Sequence, residues 1–387
     1  MANSNSRVIM IVENSYPQLN GGGAESQLTT LSSELVKRGL SVSIIAQMKP
    51  DHQQAIDEDI NGVHVHRIKY PVIRIVGGIY MLMMLMGYLL RHRNKFDVIH
   101  VHIASNMAAL SSIVGKLLNK PVLVKLTGWT EIHNGILDTQ PSLRTRVLKW
   151  AIKKASYYQA TSQQIASLLE ARGFYKKKIN LIPNAVDIDR FNTSTTPPHD
   201  IPSAAIKDKI GIFVGRLVKE KNIELFLTVF SKVFIDDDDI SILIVGDGYL
   251  MESLKHQSVN LGISNKVFFL GSKTNVEDYM NVATFGILPS LYEGLSNTLL
   301  EYMASGLPVV GSRVSGTEDI ITNGYNGWLF ESSDEFSLIE SLTDLKNMNV
   351  DDISLLGSNA REFITNYASI DQVTDRITEI YNSSVRA

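Results

Sequence analysis

The sequence predicts an α/β protein built from two Rossmann-like domains. Short apolar runs typical of β-strands alternate with helical patterns along almost all of its 387 residues, and this alternation is typical of parallel sheets built from βαβ units. A chain of this length exceeds one ordinary hydrophobic core. A polar, proline-rich stretch at residues 192–203 separates two such series and indicates a linker.

We therefore predict four parts of the chain. They are a first domain at residues 1–190, a linker at 191–203, a second domain at 204–365 and a final helix at 366–387.

The first domain begins with a strand at Arg7–Glu13, a glycine-rich turn and a helix over residues 24–38. Leu28, Leu31 and Leu35 lie on one face of that helix. Further strands are predicted at Val42–Ala46, Val63–Lys69, Asp97–His102, Pro121–Leu126, Tyr157–Ala160 and Lys178–Ile182.

The second domain repeats the pattern. Its predicted strands are Lys209–Val214, Ile240–Val245, Lys266–Leu270, Thr284–Leu288, Pro308–Gly311 and Gly327–Phe330, and its predicted helices are Asn222–Phe234, Tyr249–Leu261, Ser296–Ala304 and Ser315–Thr322. Three more helices finish the chain. Because ligands of open α/β sheets bind at the carboxyl ends of strands, we expect both domains to face a cleft between them.

Composition excludes several classes of protein. Hydrophobic residues make up 44% and charged residues 20% of the chain, and the net charge is −3, so no overall basic character points to nucleic acid. The chain has no cysteine, which excludes disulfides and thiolate metal sites. No basic region precedes a signal-type apolar stretch at the N-terminus. We expect a reduced, cytoplasmic setting.

One segment, Ile75–Leu90, is strongly apolar and is followed by basic residues. It is shorter than a bilayer span, which needs about 20 apolar residues. One interpretation is a buried crossover helix. The other is a helix that lies partly in a membrane, with Arg74, Arg91, Arg93 and Lys95 near phosphate head groups.

Several strand ends carry groups suited to phosphate. The first strand ends in a glycine-rich loop, which includes Gly22 and Gly23 and precedes a helix; amides at a helix N-terminus bind phosphate. In the second domain, Arg216 follows a strand and Lys221 opens the next helix, so both can contact phosphate oxygens. Gly246 and Gly271 are small residues at further strand ends.

The most informative stretch is Pro289–Val310. Glu293 and Gly294 lie in a turn just before a predicted helix, and Asn297 and Glu301 lie on one face of that helix. Gly294 leaves the backbone open to a diphosphate at the helix N-terminus. The two carboxylates can accept hydrogen bonds from sugar or ribose hydroxyls.

Together these residues resemble the retaining glycosyltransferases of family 4, which have the GT-B fold: two Rossmann-like domains that face an inter-domain cleft. The resemblance covers nearly the whole chain. Its motifs are Gly22-Gly23-Ala24-Glu25, Ile182–Asp187 leading to Phe191, Gly215-Arg216 with Glu220-Lys221-Asn222, Gly246-Asp247-Gly248, Glu293 and Glu301 with seven residues between them, Gly306–Val310 and Asn323–Gly327.

The resemblance implies that a hexosyl group moves from a nucleotide-sugar to an acceptor hydroxyl with retention of configuration. Arg216 and Lys221 would neutralise the donor diphosphate, Glu293 would contact the donor sugar and Glu301 would hold the ribose. These roles make Arg216, Lys221 and Glu293 the candidate catalytic residues. The implied donor-binding set is Gly22, Gly23, Arg216, Lys221, Gly246, Gly271, Glu293, Gly294, Leu295, Ser296, Asn297 and Glu301. The last helix, near Ser369–Tyr381, would cross back onto the first domain.

The chain departs from the family at one position. Many relatives have a histidine where this sequence has Thr127, and His133 lies six residues further along. Trp129 and Glu131 are expected to shape the acceptor side, and we predict Thr127 and His133 as further acceptor-side residues.

No Asp-x-Asp motif lies at a strand end, so we expect no metal ion and no cofactor. The two basic side chains would then stabilise the leaving diphosphate. No general base stands out, which favours proton transfer to the leaving phosphate itself.

We expect a UDP-sugar donor and a saccharide or lipid-linked acceptor in cell-surface glycan synthesis. We expect no nucleic-acid partner. A nucleotide-sugar epimerase, a phosphorylase of related fold and a non-catalytic nucleotide-sugar sensor stay open as alternatives.

Overall fold

The computed structural model of the chain describes residues 6–17, 22–48, 54–73, 75–132, 135–192 and 197–386. The chain divides into two compact units. The first unit contains residues 1–185 and 370–387, and the second contains residues 186–369.

The first unit is built on an eight-stranded sheet, in the order β3-β4-β2-β1-β5-β6-β7-β8. Its strands are β1 (Arg7–Ser15), β2 (Ser41–Met48), β3 (Asp57–Ile60), β4 (Val63–Lys69), β5 (Val98–Val101), β6 (Val122–Leu126), β7 (Tyr157–Ala160) and β8 (Ile179–Leu181). Neighbouring strands are parallel, except that β3 pairs antiparallel with β4. Helices connect the strands and cover both faces of the sheet, as parallel sheets require.

The helices of the first unit form two layers. They are α1 (Gly23–Lys37), α2 (Val76–Arg91), α3 (Asn106–Leu117), α4 (Trp129–Ile132), α5 (Leu143–Ile152), α6 (Gln163–Ala171) and, from the end of the chain, α13 (Ile370–Arg386). Residues of α2, α3, α5 and α6 share one core cluster with the sheet, whereas α1 and α13 belong to another.

The second unit contains a six-stranded parallel sheet, in the order β11-β10-β9-β12-β13-β14. Its strands are β9 (Lys209–Val214), β10 (Ile240–Val245), β11 (Val267–Gly271), β12 (Phe285–Leu288), β13 (Val309–Arg313) and β14 (Gly327–Glu331). Its helices are α7 (Ile223–Phe234), α8 (Met251–Asn260), α9 (Val276–Met280), α10 (Asn297–Ala304), α11 (Glu335–Asn347) and α12 (Val350–Ala368). The predicted α/β class, with two parallel-sheet domains, is confirmed.

Both sheets reverse direction at one point in their strand order. In the second unit the chain passes from β9 outward to β10 and β11, then returns to β12 on the other side of β9. In the first unit the same reversal occurs between β1 and β5. Such switch points open a crevice at the carboxyl ends of the strands, where ligands of this architecture bind.

Two local predictions from the sequence were wrong. The strand β3 was not predicted, because its residues, Asp57–Ile60, lack an apolar alternation; pairing with β4 forms it. The helix predicted at Ser315–Thr322 is instead a series of turns. Gly316 has a left-handed φ of 78°, and a Cβ there would lie 2.1 Å from the carbonyl oxygen of Gly294, so this loop packs closely on the turn before α10.

The boundary between the units lies between Ala185 and Val186. The amide of Val186 donates to the carbonyl of Ala368 at 2.9 Å, within the second unit. The described part of the predicted linker therefore belongs to the second unit.

The last helix, α13, packs within the first unit. Arg38, at the end of α1, forms ion pairs with Asp371 at 2.6 Å and Asp375 at 2.5 Å. The hydroxyl of Tyr381 lies 2.7 Å from Nδ1 of His100, a buried residue of β5. Burial lowers the pKa of His100 to about 3, so the imidazole is neutral at physiological pH.

We expect Gly286→Ala to destabilise the second unit. A Cβ at Gly286 would lie 2.5 Å from the ring of Tyr302, which is fully buried and has no room to shift. Overpacking of this kind costs about 1–3 kcal/mol. Urea denaturation measures the loss. Gly78→Ala is the control, because nothing lies within 4 Å of its added Cβ. Equal unfolding free energies for Gly286→Ala and the wild type would contradict the packing described here.

Candidate functional site

The candidate site of the second unit lies at its switch point, where β9 and β12 end. Arg216 follows β9 and is exposed, and Lys221 ends a short 3-10 helix, Lys219–Lys221. The ammonium of Lys221 donates to Oε1 of Glu293, which also accepts from the hydroxyl of Ser290 at 2.8 Å. The cation and the carboxylate from two different strand ends are therefore held in direct contact.

Glycines bring the neighbouring loops into contact. A Cβ at Gly246 would lie 1.9 Å from the carbonyl oxygen of Gly215, so only glycine fits where the ends of β9 and β10 meet. The amide of Gly246 in turn donates to the carbonyl of Gly271, the last residue of β11, at 2.8 Å. Three successive strand ends thus form a continuous backbone surface beside Arg216.

The helix α10 starts at this same edge. Ser296 is its N-cap, and the Ser296 hydroxyl accepts from the amide of Leu299 at 3.4 Å. One turn further along, the hydroxyl of Tyr302 accepts from the amide of Val214 at 2.6 Å, which fixes α10 against the end of β9. The positive end of α10, at Gly294–Asn297, therefore lies at the switch point, where amides favour an anion.

Glu301 lies on α10 and is partly exposed. Among the described residues, none donates a hydrogen bond to its carboxylate, so both oxygens are open to a ligand. Burial raises the pKa of Glu301 to about 7; the charge of Arg190 opposes this increase, and that of Glu277 adds to it. Arg190 itself is held by Glu277, with Nη2 2.8 Å from Oε2.

This edge can therefore bind an anion that also carries hydroxyl groups. Arg216, Lys221 and the amides before α10 supply positive potential, and Glu293 and Glu301 supply hydrogen-bond acceptors. Within the described residues, no group of three or more histidine, aspartate or glutamate side chains could hold a metal ion.

The first unit has a polar cavity of about 640 Å³ at its own switch point. It lies where β1 and β5 end, next to the N-termini of α3 and α5. Its lining residues are Glu13, Asn14, Ile103, Ala104, Ser105, Asn106, Thr127, Glu131, Gly135, Ser142, Arg144, Thr145 and Leu148.

Two predicted acceptor-side residues, Thr127 and Glu131, line this cavity. The carboxylate of Glu131 is buried and accepts from the amide of Gly128 at 3.0 Å and from the amide and the hydroxyl of Thr127, both at 3.3 Å. Glu131 thus holds the loop after β6 in place. His133 and the side chain of Trp129 lie outside the described residues.

Gly22 and Gly23 are at the start of α1 in the first unit, with Gly22 as the N-cap. The amide of Ser26 donates to the carbonyl of Gly22 at 3.0 Å. Gly21, which precedes them in the glycine-rich loop, lies outside the described residues, and so does Arg74, which precedes the apolar segment.

Sequence reasoning missed two groups beside these sites. Arg190 and Glu277 are 87 positions apart, so no local sequence pattern predicts their pairing beside Glu301. The sequence hinted at Arg190 only through its position next to Phe191, which ends the motif that begins at Ile182. In the first unit, the carboxylate of Glu13 caps α3, accepting from the amide of Met107 at 2.9 Å.

The apolar segment forms α2, which has a buried face and an exposed face. One face of α2 is buried through Gly77, Met81, Leu85 and Leu89, as a crossover helix requires. The opposite face exposes large apolar side chains. They are Val76, Ile79, Tyr80, Met83, Met84, Met86 and Leu90. In the part of the chain that the structure describes, no helix is long and apolar enough to span a bilayer.

Two family models match the chain. Residues 21–190 match the family described as Glycosyltransferase Family 4, and residues 199–366 match the family described as Glycosyl transferases group 1. The second match includes every strand end of the second unit, and the first includes the loop after β6 with Thr127 and Glu131.

Two relatives cover most of the chain. The chain is 27% identical over 315 residues to UDP-Gal:alpha-D-GlcNAc-diphosphoundecaprenol alpha-1,3-galactosyltransferase from Escherichia coli, covering 76% of this chain and 77% of the relative. It is 24% identical to N-acetyl-alpha-D-glucosaminyl L-malate synthase from Bacillus anthracis, covering 96% of each.

Solved structures share the fold. Anabaena HepE in complex with UDP superposes with a TM-score of 0.76 at 18% identity, covering 97% of this chain and all of that one. The complex of the same protein with UDP-glucose gives a TM-score of 0.73, with coverage of 97% and 99%.

Proposed function

This chain belongs to glycosyltransferase family 4 and is a hexosyltransferase with the GT-B fold, and we propose that it uses a UDP-sugar and retains the anomeric configuration. The proposed acceptor is a lipid-linked saccharide used in cell-surface glycan synthesis. The observation that carries the proposal is the edge of the second unit, where Arg216, the Lys221–Glu293 pair, the N-terminus of α10 and Glu301 lie together.

The proposed chemistry depends on charge that develops on the departing diphosphate. Arg216 and Lys221 stabilise it as cations, and the amides before α10 add hydrogen-bond donors. Lys221 is already held in place by Glu293, so its charge needs little reorganisation during reaction. Glu293, held by Lys221 and Ser290, faces the donor sugar. The leaving phosphate accepts the proton of the acceptor hydroxyl. Arg216 and Lys221 take the place of a metal ion in this scheme.

Glu301 is proposed to bind the ribose of the donor. Its carboxylate accepts no hydrogen bond from the described residues, and the ionised group can accept one from each of two adjacent hydroxyls. Burial raises the pKa of Glu301, and the charges of Arg190 and Glu277 modify it in opposite directions. UDP as the nucleotide is supported by the galactosyltransferase relative, whose name includes UDP-Gal, and by the fold shared with a protein that binds UDP-glucose.

The lipid-linked acceptor is supported by two features. The same relative acts on a diphosphoundecaprenol-linked sugar. In the first unit, α2 presents an apolar stripe to solvent, and Arg91, Arg93 and Lys95 follow it without an intervening carboxylate. An apolar face with basic residues at its end is typical of helices that lie in a membrane interface. We propose peripheral contact with the cytoplasmic membrane face through this helix.

Nucleotide release from a panel of UDP-, GDP- and ADP-sugars, with and without membrane lipid extract, tests the proposal. We expect one UDP-sugar to be used, and faster release with the extract. Arg216→Gln should lower the rate by roughly 10²–10³, as removal of one preorganised donor does elsewhere. Lys207→Gln, another exposed cation of the second unit, is the matched control.

Two results would contradict this function. Donor binding that saturates without release for any acceptor would identify a nucleotide-sugar sensor. Nucleotide release at the wild-type rate in both Arg216→Gln and Glu301→Ala would contradict the assignment of this edge as the donor site.

Donor affinity should depend on pH through Glu301. Because its pKa is about 7, the carboxylate is ionised above about pH 8 and protonated below about pH 6, so UDP should bind more weakly as the pH falls. Glu301→Gln should flatten this dependence. Arg190→Gln should move the midpoint to higher pH, because the charge of Arg190 favours the ionised carboxylate. Calorimetric titration measures the dissociation constants, and a midpoint unchanged in both variants would rule out Glu301 as the titrating group.

Vesicle binding checks the contribution of α2. Met83 and Met86 are 60% and 41% exposed, so the double change Met83→Gln with Met86→Gln should leave the fold intact and weaken co-sedimentation with vesicles at least tenfold, because two large apolar side chains no longer enter the interface. Val259→Gln, at an exposed apolar position of the second unit, serves as control. Wild-type binding by the double variant would exclude α2 from the contact.

A further inference from the structure

A second helix of the first unit, α5, also presents an apolar stripe to solvent. Leu143, Val147 and Trp150 are 79%, 59% and 58% exposed. Their spacing of four and three residues places them on one side of the helix. The opposite side is buried through Thr145, Ala151 and Ile152. Single exposed apolar residues are common on protein surfaces, but an aligned set of large ones marks an interaction surface.

The charges around this stripe have one sign. Residues 143–154 include no aspartate or glutamate. The basic residues there are Arg144, Arg146, Lys149, Lys153 and Lys154. Within the described part of the chain, none of the five forms an ion pair with a carboxylate.

Two further details concern lysines of this segment. The pKa of Lys149 is lowered by burial and by the neighbouring charges of Lys153 and Arg172, so an approaching anion would relieve repulsion between like charges. The ammonium of Lys154 lies 4.9 Å from the ring centroid of Trp150. An aromatic ring beside a cation is typical of the boundary between lipid head groups and acyl chains.

The two apolar helices belong to one layer of the first unit. The helix α3 packs between α2 and α5, and all three contribute to the same core cluster with the sheet. Leu117, at the end of α3, is 76% exposed. The exposed stripes of α2 and α5 are therefore parts of a single helical layer.

We infer that α5 docks on an anionic lipid surface, with Leu143, Val147 and Trp150 in the interface and Arg146, Lys153 and Lys154 on the lipid phosphates. A lipid surface offers acyl chains to the apolar stripe and phosphates to the neighbouring cations. A nucleic-acid backbone would pair with the cations and leave the apolar stripe in water. The inference deepens the proposed function and rests on its lipid-linked acceptor.

Docking through α5 places the polar cavity of the first unit at the membrane surface. Ser142, Arg144 and Thr145 line that cavity and belong to the first turn of α5 and its N-cap. The acceptor then enters from the plane of the bilayer, with its polar head in the cavity and its tail in the lipid.

Co-sedimentation with vesicles of phosphatidylcholine, alone or mixed in equal parts with phosphatidylglycerol, tests the docking. Lys153→Gln with Lys154→Gln should weaken binding to the mixed vesicles by about tenfold or more, since each basic residue near an anionic surface contributes several-fold. It should leave binding to phosphatidylcholine unchanged. Val147→Gln with Trp150→Gln should weaken binding to both kinds of vesicle. Phe336→Gln with Leu355→Gln, at exposed positions of the second unit, is the matched control and should bind as the wild type does.

Wild-type binding by both α5 double variants would overturn the docking and leave α2 as the contact. Equal binding of the wild type to the two kinds of vesicle would overturn the role of the basic residues. A dimer in lipid-free buffer that the Val147→Gln, Trp150→Gln variant abolishes would make a second copy of the chain the occupant. Nucleotide release measured without lipid tests the transfer reaction independently of the docking of α5. Vesicle binding that depends on α5, without any release, would support the docking and contradict the transfer reaction.

Discussion

The contact between Tyr302 and the end of β9 determines the geometry of the candidate site at the edge of the second unit. The Tyr302 hydroxyl accepts from the amide of Val214, and its ring packs where Gly286 has no side chain. This contact joins β9, the first strand of the second unit, to α10, although three strands separate the two elements in the chain. Arg216, two residues after Val214, and Glu301, next to Tyr302, are therefore positioned by the same buried ring. A rigid element holds functional groups more precisely than a loop alone.

The two units use the same switch-point geometry for different chemistry. The edge of the second unit combines an exposed arginine, a paired lysine and a helix N-terminus, which together favour a multiply charged anion. The cavity of the first unit combines neutral polar and apolar side chains with Arg144, and its two carboxylates, Glu13 and Glu131, are engaged with backbone amides. Hydroxyl-rich molecules suit such a lining. The difference follows from which side chains end each strand, since the sheets themselves are alike.

Regular patterns made most of the fold predictable from the sequence. The bounds predicted for β4, β7, β9 and β10 are those of the structure. The strands β9 and β10 are mostly apolar runs, as buried parallel strands are, whereas β4 shows an alternating pattern. The edge strand β3 has no such pattern. At the edge of the second unit, the positions of Arg216 and Glu293 were predictable, because each lies in the loop that follows a strand. The pairing of Arg190 with Glu277 was not, because it depends on tertiary folding over 87 positions. The cavity of the first unit likewise gathers residues from separate loops.

The antiparallel strand β3 also bears on self-association. It forms one edge of the eight-stranded sheet, and an unpaired edge can recruit a strand from another molecule. Its consecutive Asp57, Glu58 and Asp59 carboxylates meet one permanent cation among these contacts, Arg67, which lies 2.7 Å from Glu58. His64 and His66 contact the two aspartates as imidazoles that carry charge only when protonated. A second copy that added its own β3 would bring another row of carboxylates into register with the first. Electrostatic repulsion at this edge therefore opposes fibre-like stacking of the sheets, even where molecules are crowded on a surface.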